Sequence, residues 1–134
     1  MKNTHLLPPI MLALSLVLMA TSSSAVETGQ GSPGSRVVTV KIKDLKFTPS
    51  DMVVSVGTAI NWVNLDAVDH DVTSGVSVIG RATRGMKQTK FPDDKFSSGL
   101  FSEDKMFSVT FDKKGEYKYY CSIHPFMIAK IVVE

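Results

Sequence analysis

From Val37 onward the chain alternates apolar and polar residues with a period of two. Val38, Val40 and Ile42 interleave with Thr39, Lys41 and Lys43, the pattern of a strand with one face buried and the other in water. Asp51 to Val56 and Ala59 to Asn64 repeat it across a turn at Gly57, and Asp71 to Ser74 reads as a further short strand. Met106 to Phe111, Glu116 to Cys121 and the Val/Ile-rich Met127 to Val133 complete the series. The step Asp112-Lys-Lys-Gly115 reads as a hairpin turn with glycine in the left-handed position. No stretch after Val37 combines helical periodicity with helix caps. Seven or eight short strands at this spacing predict an all-β domain, a two-sheet antiparallel sandwich or barrel.

Two regions fall outside that rhythm. Gly75 to Lys95 contains Gly80, Gly85 and Pro92 with a basic cluster of Arg81, Arg84, Lys87, Lys90 and Lys95. It reads as an inserted surface loop: most simply a solvated charged face, alternatively a partner-docking patch. At the other end, Lys2 precedes an apolar run from Ile10 to Ala20, followed by Thr21-Ser-Ser-Ser-Ala25. The 11-residue run is shorter than the roughly 20 residues a membrane-spanning helix needs. Small residues at the cleavage positions mark residues 1–25 as a secretory signal peptide. The protein is therefore expected in the periplasm, without membrane insertion. Residues 26–36, rich in Gly, Ser and Pro, read as a flexible leader, which leaves 37–134 as one domain, expected to be a monomer.

Composition narrows the chemistry. With 15 Lys and Arg against 13 Asp and Glu, the chain lacks the concentrated basic surplus of a nucleic-acid binder. Its single cysteine excludes a disulfide framework, a zinc ribbon and any cluster held by several thiolates. An exported free thiol is open to oxidation or mispairing, so Cys121 is expected to be occupied by something, and a metal is one candidate. Cys121, His124 and Met127 recur at steps of three in Tyr-Cys-Ser-Ile-His-Pro-Phe-Met. Positions i and i+3 of a turn lie within about 7 Å, so two successive turns gather the three side chains around one point. A thiolate, an imidazole and a thioether form a soft set that favours copper over magnesium, calcium or manganese, and structural zinc does not take methionine. His5 leaves with the signal peptide, so the remaining imidazole is His70, 51 residues before Cys121. Taken singly, each residue has a plainer reading as surface or core; their coincidence with the sole cysteine makes His70, Cys121, His124 and Met127 the candidate metal ligands.

The run from Gly115 to Glu134, with Cys121, His124-Pro-Phe and Met127, resembles the cupredoxins, or blue copper proteins, and most closely their amicyanin branch. Phe47-Thr-Pro49, Val54, Gly57, Trp62, Asn64, Asp66 and His70 resemble the first half of the plastocyanin and amicyanin domain. The resemblance covers Val37 to Glu134 and is weakest at Gly75 to Lys95. It implies a Greek-key β-sandwich holding one type 1 copper through His70, Cys121, His124 and, weakly, Met127. It also implies a shuttle of single electrons rather than an enzyme. The implied partners are redox proteins, a dehydrogenase or reductase as donor and a c-type cytochrome or oxidase as acceptor. No second pair of histidines is present for a trinuclear copper cluster. A copper carrier or copper-resistance protein would use the same soft ligands, but usually with open Met or His tracts. Three positions depart from the family pattern. Asp71 stands where members often carry asparagine, and its carboxylate accepts hydrogen bonds from the Cys121 loop but donates none while ionised. Asp69 and Ile123 stand where amicyanins carry proline.

Overall fold

The computed structural model describes residues 36–134; the expected signal peptide, and the expected leader up to residue 35, lie outside the described residues. Arg36, the last residue of that expected leader, is hydrogen-bonded to the domain. Its carbonyl accepts from Ala59 N at 2.8 Å and its guanidinium donates to Ser55 Oγ at 2.7 Å.

Nine strands are present among the described residues: β1 (Val37–Lys43), β2 (Lys46–Thr48), β3 (Asp51–Val54), β4 (Thr58–Asn64), β5 (Thr73–Ala82), β6 (Gly85–Ser97), β7 (Met106–Phe111), β8 (Gly115–Tyr120) and β9 (Ile128–Val133). They form two sheets, in the orders β2-β1-β4-β7 and β3-β9-β8-β5-β6. The expected β-sandwich is present, with β1 parallel to β4 and β3 parallel to β9, since the chain crosses between sheets instead of meandering within one. The alternation read from the sequence sets the burial. Val40 and Ile42 are fully buried on β1, as are Ile60 and Trp62 on β4. Trp62 is the centre of the core, with the rings of Tyr119, Phe107, Phe96 and Phe111 at 5.5, 5.7, 5.8 and 6.5 Å. A ring of this size contributes several kcal/mol by burial and pins the two sheets together.

Two expectations require correction. Asp112 to Gly115 is not a hairpin turn, because β7 pairs with β4 in one sheet and β8 with β9 in the other. The segment is a corner between sheets. The Tyr117 ring packs on Phe111 at 4.8 Å, Tyr117 Oη donates to Lys113 O at 2.9 Å, and Gly115 takes a φ of +150°, a value that favours glycine. Nor is Gly75 to Lys95 an irregular loop. It forms most of a β-hairpin whose register runs from Val76 opposite Phe91 to Ala82 opposite Gly85. The pattern hid these strands because both faces of most of the hairpin are exposed, so burial imposes no alternation of apolar and polar residues. The pair also accounts for part of the excess over the expected strand count; the three-residue β2 is the other addition.

Candidate metal centre

The residues singled out by the sequence meet at one end of the sandwich. His70 follows β4 and is held by a two-way backbone bridge to Phe101, with His70 N donating to Phe101 O at 3.2 Å and Phe101 N to His70 O at 2.8 Å. Asn64, buried at the end of β4, organises the connecting loop. Its amide donates to Val68 O at 2.9 Å and Phe101 O at 3.1 Å, and its oxygen accepts from Asp66 N at 2.9 Å. Cys121 follows β8 directly, and its N–H donates to Met127 O at 3.0 Å, closing the loop that carries His124. Met127 N donates to His124 O at 3.4 Å, and Phe126 takes a left-handed φ of +76° inside this tight turn.

His70 Nδ1, Cys121 Sγ and His124 Nδ1 form a small triangle. Its edges are 3.1 Å between the two nitrogens, 3.6 Å from Sγ to His124 and 3.8 Å from Sγ to His70. Met127 is buried at the foot of the same loop. The side of His70 away from the triangle explains why the nitrogens point inward. Nε2 lies 3.0 Å from Asp66 Oδ2, and a carboxylate in that position accepts a hydrogen bond from Nε2–H, which keeps the proton on Nε2 and leaves Nδ1 as a bare lone pair. Asp66 is itself gripped by the main-chain N–H groups of Asp44 at 2.8 Å and Leu45 at 3.0 Å, both in the left-handed turn between β1 and β2. Burial raises the Asp66 pKa, but those two amides and the His70 ring outweigh it and hold the carboxyl below its ordinary value.

The electrostatics of the triangle call for a cation. Burial lowers the pKa of His70, with Asp66 opposing that shift and neighbouring His124 adding to it. Burial likewise pushes the Cys121 thiol up, and the Asp71 carboxylate contributes in the same direction. Without an ion the site is an uncharged thiol facing two imidazole nitrogens, three donor atoms within 4.8 Å of one another. A soft cation held by His70, Cys121 and His124 would ionise the thiol and face three lone pairs. The donor set therefore fits a copper ion.

Around the triangle lie groups that spacing alone does not reveal. Asp71 Oδ1 accepts from Ser122 N and lies 3.2 Å from Cys121 Sγ, while Asp71 Oδ2 accepts from Thr73 Oγ1 at 2.6 Å. This is the accepting role expected of a carboxylate there. Gln88 Nε2 donates to Cys121 O at 3.3 Å, and Lys90 Nζ to Ser122 O at 2.8 Å. Only topology brings those two residues to the site. His124 is partly exposed, beside Ile123 at 47% and Phe126 at 66% exposure, whereas His70 and Cys121 are wholly buried.

Comparison with known proteins agrees with the geometry. The model of the copper binding proteins of the plastocyanin/azurin family matches residues 35–134. Amicyanin of Paracoccus versutus is 28% identical over 97 residues, covering 72% of this chain and 64% of that protein. Amicyanin-alpha of Methylorubrum extorquens is 32% identical over 117 residues, covering 86% of each. A solved structure of a reduced amicyanin mutant is similar with a TM-score of 0.53 at 28% identity, over 78% of this chain and 87% of that one. A purple cupredoxin from Nitrosopumilus maritimus is similar with a TM-score of 0.56 at 25% identity, over 72% and 99%.

Proposed function

The chain belongs to the plastocyanin/azurin family of copper-binding proteins, and on that premise we propose that it is a periplasmic electron shuttle. Its single copper is held by His70, Cys121 and His124, with Met127 as a weaker fourth ligand. Copper supplies a one-electron couple between Cu(I) and Cu(II), and the protein transforms no substrate. The observation that carries this reading is the triangle itself, three inward-facing donors drawn from two separate parts of the chain. Cys121 sits directly at the end of β8, and His70 is locked by Asp66. Such a site does not rearrange when charge arrives or leaves, which keeps the cost of electron transfer low. His124, in the partly exposed loop, is the doorway, and its apolar neighbours Ile123, Pro125 and Phe126 let a redox protein approach closely without stripping water from charges.

The domain plan follows the same reading. Residues 1–25 direct export, 26–36 form the leader and 37–134 carry the copper. Among the described residues no helix is long and apolar enough to cross a membrane. The partners are a donor dehydrogenase or reductase and an acceptor cytochrome or oxidase. The alternative is a copper carrier or copper-resistance protein, which must release its ion. The two readings separate when the copper-loaded protein is cycled by voltammetry and then incubated with a strong Cu(I) chelator. A reversible one-electron wave with the metal retained supports the shuttle. Rapid loss of copper to the chelator contradicts it in favour of the carrier.

A further inference from the structure

The β5–β6 hairpin carries a charge distribution unlike the rest of the molecule. Residues 36–134 contain 14 Lys and Arg against 12 Asp and Glu; four of those cations and none of the acids lie between Gly75 and Pro92. That segment is thus +4 and the remainder of the domain −2, and the whole of β5–β6, with Asp93, Asp94 and Lys95 at its root, is +3. Arg81, Arg84, Lys87 and Lys90 have no carboxylate partner among the described residues, whereas Lys95, at the root, is paired with Asp93 at 2.7 Å.

The register sorts the side chains. Val76 opposite Phe91, Val78 opposite Thr89 and Gly80 opposite Lys87 share one face, while Ser77 opposite Lys90 and Ile79 opposite Gln88 share the other. The second face grips the metal loop through the hydrogen bonds from Gln88 to Cys121 O and from Lys90 to Ser122 O. The first face leaves Val76, Val78 and Phe91 at 42%, 50% and 56% exposure, while Met86, opposite Arg81 on the second face near the tip, is 60% exposed. A merely solvated arm gains nothing from such apolar side chains. An aromatic ring and two valines left exposed together on one face have the character of an interaction surface.

We propose that this hairpin is a docking arm for an acidic redox protein, which it steers to the His124 end of the site. The inference rests on the electron-shuttle reading and names the class of protein that meets it. Charge selects the partner, since four uncompensated cations attract an acidic surface and raise the encounter rate. Attachment selects its position, since the arm is bonded to the two residues that follow β8 and lead to His124. The apolar face then holds the partner once water is displaced. An anionic membrane would also take basic and apolar groups, but it has no use for an arm fastened to the metal loop.

The test uses the copper-loaded protein and reduced cytochrome b5 as an acidic redox probe. One electron passes from the ferrous haem to the oxidised copper protein, and no bond is made or broken. Arg84→Glu with Lys87→Glu leaves Gln88 and Lys90 in place, so the visible spectrum should not change. By stopped flow at about 10 mM salt the second-order rate constant of this variant should fall at least about tenfold. The difference should close near 0.5 M salt, where exposed charges are screened. With basic mitochondrial cytochrome c the order of the two proteins should reverse. Equal rates for both proteins with cytochrome b5 at low salt overturn the proposal and leave the shuttle reading intact. Failure of either protein to accept electrons at any salt defeats the shuttle reading itself. Two further results would also overturn the docking arm if cytochrome rates are unchanged: co-sedimentation with phosphatidylglycerol vesicles that the variant loses, or a dimer in sedimentation velocity that the variant loses.

Discussion

Replacing Asp71 by asparagine should raise the reduction potential of the copper protein. Asp71 is buried and its Oδ1 lies 3.2 Å from Cys121 Sγ. A fixed negative charge there favours the oxidised centre, which carries one more positive charge than the reduced one. At 3.2 Å, two unit charges interact by about 1.3 kcal/mol at the dielectric constant of water and about 5 kcal/mol at an effective value of 20. For a one-electron couple, where a tenfold change in equilibrium is about 59 mV, those limits correspond to about 55 and 220 mV. The electron is shared with the metal and its nitrogens as well as sulfur, so a rise of about 60–120 mV is expected. The substitution spares the scaffold, since an amide oxygen still accepts the Ser122 N–H and the amide nitrogen faces Thr73 Oγ1. Voltammetry at pH 7 measures the shift, with Asp69→Asn as the control. Asp69 is exposed, and water and salt screen such a charge to about 20 mV or less. A potential that stays level or falls in Asp71→Asn, or an equal rise in Asp69→Asn, would refute the reasoning.

Other outcomes follow from the same geometry. Asp66→Ala should weaken copper binding about 10–100-fold in a chelator competition, because His70 loses the partner that sets its tautomer. The Asp66 carboxyl is held below its ordinary pKa, so its stabilisation is complete above about pH 4 and disappears as pH falls through the folded value. Urea unfolding of the metal-free protein should therefore show the gap between wild type and Asp66→Asn narrowing from pH 7 to pH 3. Burial pushes the Tyr119 hydroxyl up to about 12, above its unfolded value of about 10. Stability is then fully present below pH 10 and should fall by as much as about 3 kcal/mol between pH 10 and 12, while Tyr119→Phe should remove that part of the slope. Gly75 has a φ of +128°, and a Cβ there would collide with the Phe91 carbonyl oxygen. Gly75→Ala should cost about 2 kcal/mol or more in thermal unfolding. Gly80→Ala, with open space around it, should change stability by less than about 0.5 kcal/mol.

What the sequence disclosed and what it concealed divide along a physical line. Strands with one face in the core were legible because burial enforces alternation, as on β1 and β4. The β5–β6 arm was not, because a strand exposed on both faces accepts nearly any polar residue. Cys121, His124 and Met127 were legible because one tight loop holds them at fixed spacing. His70 was reached by counting histidines, and the 3.1 Å approach of its ring to His124 depends on the fold bringing the loop after β4 against the end of β8. Asp66 was visible only as part of a family pattern; its grip on His70 depends on a turn between β1 and β2 some 20 residues away. Gln88 and Lys90 left no trace in spacing, since their contact with the metal loop arises from how the arm folds back. The corner at Asp112 to Gly115 looked like a hairpin because turn residues mark a reversal without saying which sheet the next strand joins.

The central claim is that Cys121, His70 and His124 bind one copper ion through a thiolate bond. Titration of the metal-free protein with Cu(II), followed by visible absorption, tests it most directly. An intense thiolate-to-copper charge-transfer band should grow linearly and stop at one equivalent, and Cys121→Ala should show no such band at any copper concentration. A colourless wild-type complex, an end point at two equivalents, or a band that survives Cys121→Ala would contradict the account.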